Sequence, residues 1–127
     1  MTRTIIGMLI AIIIADICWL SYNNAYHLKF FESVQKTPLQ IRLIPAVLVY
    51  ILILASVYYF AVHDSNSIWQ AATRGAGIGF SMYGLYDLTN YATLQNYTVY
   101  MTVTDTVWGT ILCGFVAAVG AFIRLRG

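Results

Sequence analysis

Residues 5–20 read IIGMLIAIIIADICWL. This run is almost wholly apolar, yet it holds a carboxylic acid at Asp16. A hydrocarbon layer about 30 Å thick takes about 20 helical residues at about 1.5 Å each. Extending the run to Tyr26 reaches that length. Three further segments match it: Leu43 to Val62, Ile68 to Leu94, which is the most polar, and Val99 to Ile123. The expected fold is all-α, a bundle of four transmembrane helices at about 5–26, 43–62, 68–94 and 99–123. They form one multi-pass integral membrane domain over 1–127.

Composition bounds the alternatives. Of 127 residues, 60% are hydrophobic and 9% charged, against about 25% charged in a soluble domain. A core this small could not hide so much apolar surface. The net charge of +2 comes from seven basic and five acidic residues with no basic stripe, which argues against nucleic acid. Cys18 and Cys113 fit neither C-x-x-C nor a zinc spacing and read as packing thiols. Arg3 before the first run resembles a signal peptide. Asp16 lies inside that run, however, and it passes Trp19 without a small-x-small site, so a retained helix is expected.

The connections are short except 27–42. There His27, Lys29, Glu32, Lys36 and Arg42 alternate with Leu28, Phe30, Phe31 and Val34. That pattern suits a short amphipathic segment at the membrane surface, ended near Pro38. Pro45 falls in the first turn of the second helix, where a missing N–H matters little. The polar turn Asp64-Ser-Asn-Ser67 supplies a cap for the third helix, with Trp69 at the interface. Gln95-Asn96 makes the last turn. The sequon Asn96-Tyr97-Thr98 sits in too tight a turn to favour glycosylation. Tyr22, Tyr26, Tyr58, Tyr59, Tyr91, Tyr97 and Tyr100 cluster near span ends, as interfacial aromatic residues do.

Four spans put both termini on one side, here side A, with the 63–67 turn. Side B holds the 27–42 connection and the 95–98 turn. Arg3, Arg124 and Arg126, with Arg74 near that end, slightly outweigh Lys29, Lys36 and Arg42, so side A leans cytoplasmic.

Three of the five acids fall inside the spans. Each costs about 2.5–3.5 kcal/mol at a helix centre, or roughly 8–10 kcal/mol if simply added. Such residues face a bundle interior and mark function or a polar clamp. Helical rise puts Asp16 about 15 Å, Asp87 about 10 Å and Asp105 about 9 Å from the B surface. One polar pocket could gather all three. Tyr83, Asp87 and Asn90 share a helical face, with Tyr86 nearby. Asp16, Trp19 and Asn23 share another, and Asp105 and Trp108 a third. The candidate binding residues are therefore Asp16, Trp19, Asn23, Tyr83, Tyr86, Asp87, Asn90, Asp105 and Trp108.

No Lys falls in the expected spans, so no buried ammonium neutralises the acids and no retinal-type Schiff base can form. The acids are protonated, or hold a cation through Asp16, Asp87 and Asp105, or face a wet vestibule. No cofactor is implied. Asp16-Ile-Cys-Trp19 and Asp105-Thr-Val-Trp108 share a D-x-x-W pattern, consistent with an indole N–H beside a carboxylate or with chance. Gly75, Gly79, Gly109, Cys113, Ala117 and Ala121 form small-residue packing seams, within the chain or in a homo-oligomer. His27 and His63 lie at opposite surfaces. Ser21 and Ser81 have no matching His and acid.

The segment YGLYDLTNYATL at 83–94, TDTVWG at 104–109, DICWL at 16–20 and the region of Pro45 resemble the signature of a membrane-protein family catalogued as domain of unknown function 2177. The resemblance covers nearly the whole chain and implies a four-helix integral membrane protein. It supplies no activity, ligand or catalytic residue. The chain departs from it at Asn96-Tyr97, where the family places a Gly-Trp-like turn, a change expected to matter little for the pocket. Three functions compete: proton- or cation-linked transport through the acids, binding or conversion of a lipid-like ligand within the membrane, and structural assembly with the acids as helix clamps.

Overall fold

A computed structural model describes residues 1–35 and 42–126, without the side chains of residues 24 and 25. Among the described residues there are four α-helices, one π-helical turn and no strand. They are α1 (Thr2–Gln35), α2 (Leu43–Val57) running into the π turn (Tyr58–Val62), α3 (Ile68–Thr93) and α4 (Val99–Arg126).

Three helices are long and apolar enough to cross a membrane: Thr2–Asn23 within α1, Leu43–Val62, and Val99–Arg126. The expected third span, α3, has 26 residues, about 39 Å of helix. Its length suffices, but Gln70, Arg74, Asp87 and Asn90 dilute its apolar character.

The first helix corrects the sequence reading. It was expected to end near Tyr26, before a separate interfacial segment over 27–42. Instead α1 runs unbroken to Gln35. No Gly or Pro interrupts the chain between Gly7 and Pro38, so nothing stops helix propagation where the apolar run ends. Lys36 and the expected stop at Pro38 lie outside the described residues. The extension is held by its aromatic side: Phe30 is buried with Tyr97 and Met101, its ring 5.1 Å from that of Tyr97.

Helices α3 and α4 form the closest pair because glycine removes the side chains between them. A Cβ on Gly75 would stand 2.5 Å from the Cys113 carbonyl oxygen and from Ala117 Cβ. One on Gly79 would meet the Gly109 carbonyl carbon at 2.8 Å and Cys113 Cβ at 2.9 Å. The small-residue seam is thus used within the chain. Gly77, on another face of α3, has nothing within 4 Å of its Cβ direction.

The main core gathers Met8 and Ile12 of α1, Ile53 and Val57 of α2, Val62 of the π turn, Ala71 of α3, and Leu112, Val116 and Ala121 of α4. Outward positions such as Ile10, Ile14, Leu48, Leu52, Phe80 and Ile111 are exposed, as expected of helices solvated by hydrocarbon rather than water. The ends of the helices are fixed by polar groups. Ser67 caps α3, its Oγ accepting from the Gln70 N–H at 3.0 Å, while Gln70 Oε1 accepts from the Asn66 N–H at 2.7 Å. Thr98 caps α4 by accepting from the Met101 N–H at 3.1 Å. Asn96 takes φ 69°, a left-handed turn conformation that Asn tolerates better than most residues. Arg124 donates to the Ser65 carbonyl and so ties the end of α4 to the 63–67 turn. Ile123 packs against Gly7, placing the start of α1 beside the end of α4.

Candidate functional site

The three helix-borne acids Asp16, Asp87 and Asp105 do not meet at one point. They form two adjoining centres with different partners.

Asp16, half-buried on α1, is the centre nearer the 63–67 turn. Tyr50 of α2 donates its hydroxyl to Oδ2 at 2.5 Å. Trp108 of α4 directs its indole N–H toward Oδ1 at 3.4 Å. The Trp108 ring stacks on Trp19 with centroids 4.6 Å apart and planes 7° from parallel. An indole does stand beside a carboxylate, as the D-x-x-W pattern suggested, but across helices: Trp108 serves Asp16 rather than its sequence neighbour Asp105. Asn23 is turned to its own helix, its amide donating to the Trp19 carbonyl at 3.1 Å.

Asp87 of α3 is fully buried. The Tyr97 hydroxyl donates to Oδ1 at 2.6 Å and Thr106 Oγ1 to Oδ2 at 3.3 Å. Asn90 lies in side-chain hydrogen-bond reach of both Tyr86 and Tyr97. Burial, with the bond to Asp87, raises the pKa of the Tyr97 phenol above its usual value, so the phenol stays a donor. Tyr97, in the turn before α4, is thus a direct partner of the buried Asp87 carboxyl.

Asp105 of α4 is half-buried and differs from both. Its polar neighbour is the carboxyl of Asp87, in side-chain hydrogen-bond reach, and Asp16 is near enough to act on it electrostatically. Among the described residues no hydroxyl, indole, amide or guanidinium donates to it. Asp105 instead lines a cleft of about 480 Å³. The cleft's other walls are Val49, Leu52 and Ile53 of α2, Met82, Tyr83 and Tyr86 of α3, and Phe31 near the end of α1. Val49, Leu52 and Tyr86 are exposed, so the cleft opens on the flank of the molecule between α2 and α3. Tyr83 is held in place from behind: its ring fills the space a side chain at 109 would need.

Of the nine expected residues, Tyr83, Tyr86 and Asp105 line the cleft. Asp87 and Asn90 stand behind it. Asp16, Trp19 and Trp108 form the neighbouring centre, and Asn23 joins neither. Sequence reasoning missed Tyr50, Thr106 and Tyr97 as carboxylate partners and Phe31 as a wall. Tyr50 carried a usable signal, being the one side chain with a polar group between Leu43 and Ala55.

Among the described residues no three His, Cys, Asp or Glu side chains come close enough to hold a metal ion. His27 packs edge-on to Trp19 with centroids 6.1 Å apart and beside Tyr26 and Phe31. Burial lowers its pKa. Cys18 is exposed, Cys113 buried, and both thiols are free. At the 63–67 turn, Arg74 pairs with Asp64 at 2.9 Å, and the carboxylate of the pair is largely exposed.

The family model described as predicted membrane protein (DUF2177) matches residues 1–122. No curated protein and no solved structure matches the chain.

Proposed function

Because the chain belongs to the DUF2177 family of predicted membrane proteins, we propose that it works inside the bilayer as a binding protein for an amphiphilic molecule. In this reading α3 crosses the membrane as a fourth span and the cleft between α2 and α3 opens sideways into lipid. The observation that carries the reading is the composition of the cleft. Its walls are mainly aliphatic and aromatic, and one carboxyl group, that of Asp105, sits among them. Ligand sites of about 300–1,000 Å³ typically combine apolar walls with a few placed polar groups. A ligand here would bury an apolar body against Val49, Leu52 and Met82 and present a polar end to Asp105.

Native mass spectrometry of the purified protein tests this. Wild type should retain one amphiphile through detergent activation. Val49→Trp, which fills the mouth of the cleft from an exposed position, should lose it. Equal retention by both proteins would sink the reading.

Transport linked to protons or a cation is a second reading, favoured by the side-chain contact between Asp87 and Asp105. Two carboxyl groups in hydrogen-bond reach hold a proton between them more readily than two charges, and one of these groups borders the cleft. Flux of protons or an amine in liposomes should then fall with Asp105→Asn; unchanged flux would exclude it.

A further inference from the structure

The cleft also carries information about the charge of its occupant. Asp16 has a phenol and an indole as donors, and Asp87 has a phenol and a threonine hydroxyl. Asp105 has no such partner among the described residues, and it is the acid that lines the cavity. An ionisable group inside a membrane protein pairs with something. Among the described residues, the titratable groups that act on Asp105 are Asp16 on α1 and Tyr83, Tyr86 and Asp87 on α3. All are acids or phenols, and none brings positive charge.

We infer that the cleft selects a monovalent organic cation with an apolar body, its positive centre set against the Asp105 carboxyl and its body against the α2 and α3 walls. The inference rests on the binding reading above and adds the class of ligand. An anion would find a carboxyl at the cleft wall and no positive charge among the described lining residues. A neutral amphiphile would leave the proton shared by Asp105 and Asp87 in place and gain nothing from the carboxyl's charge, whereas a cation can take that proton's place. A bare multivalent metal ion lacks ligands, since no three-residue donor set is gathered among the described residues. The tyrosine rings of positions 83 and 86 suit a cation, because aromatic faces attract positive charge within about 6 Å. Asp105 is the group that would touch the ligand. Asp87, fully buried behind it, acts as a positioning residue held by Tyr97.

The test compares two ions of nearly the same shape and opposite charge, tetraphenylphosphonium and tetraphenylborate, by equilibrium dialysis against the full chain in detergent. Wild type should bind the phosphonium at least tenfold more tightly than the borate. Asp105→Asn should bring the two affinities within about threefold of each other, and Asp105→Glu should restore most of the preference. Equal binding of the two ions by wild type, with both blocked by Val49→Trp, would overturn the cation preference and leave the cleft reading standing. Binding of both ions that Val49→Trp does not change would overturn both. A preference that survives Asp105→Asn would overturn the role of Asp105.

Discussion

Tyr97→Phe removes one oxygen from a buried site and little else. The phenol donates to Asp87 at 2.6 Å, and Asp87 has no exposure to restore the bond through solvent. The ring itself remains packed with Phe30 and Met101, so no cavity larger than a hydroxyl is created. Leaving a buried polar group short of its donor costs about 1–3 kcal/mol, and loss of a bond this short sits toward the upper part of that range. Thr106 still reaches Asp87, but at 3.3 Å, too long to take over the lost bond. The expected loss is therefore about 2–3 kcal/mol for Tyr97→Phe, and under about 1 kcal/mol for Thr106→Val through the longer bond. Reversible unfolding in mixed micelles, followed by tryptophan fluorescence, gives both values. A double-mutant cycle with Asp87→Ala isolates the pair, for which coupling of about 1–3 kcal/mol is expected. Coupling below about 0.3 kcal/mol, or a larger loss from Thr106→Val than from Tyr97→Phe, would refute this account of the Asp87 centre.

Gly79→Ala should destabilise by about 1–3 kcal/mol through overpacking against the α4 backbone. Gly77→Ala, facing open space, should stabilise by up to about 1 kcal/mol through helix propensity; the same unfolding assay ranks them. Burial favours neutral His27, whose ordinary pKa is 6.5. The unfolded state then binds more protons, so stability falls as pH drops below about 6.5. His27→Gln should lose less melting temperature than wild type between pH 7 and pH 5. Tyr50→Phe should weaken the hold of α2 on Asp16, read as faster amide exchange along α2 than along α3. In a Cys18→Ser background, Asn66→Cys and Gln95→Cys should label from opposite faces of sealed vesicles if α3 spans; labelling from one face would remove the fourth span.

The helices were legible because their apolar runs are long and the turns between them are polar. The second helix with its π turn ends at Val62 as expected, and the third and fourth helices depart by one to three residues. The end of the first was not legible. Amphipathic residues 27–35 fit a surface segment and a helical continuation equally well, and packing of Phe30 on Tyr97 favours the continuation. At the site, the buried acids announced themselves through their cost in hydrocarbon. Their pairing did not, because helical periodicity says which residues share a face of one helix and nothing about the helix opposite. Asp16 finds Tyr50 and Trp108 across two interfaces, and Asp87 finds Tyr97 across a left-handed turn at Asn96. The difference between satisfied Asp16 and Asp87 and donor-poor Asp105 exists only in three dimensions.

Anomalous diffraction from crystals grown with tetraphenylarsonium tests the central claim most directly, because arsenic marks its own position. One anomalous peak is expected inside the cleft, walled by Leu52, Ile53, Met82 and Tyr86 and facing the Asp105 carboxyl. A peak elsewhere on the molecule, or none at saturating ligand, would contradict it.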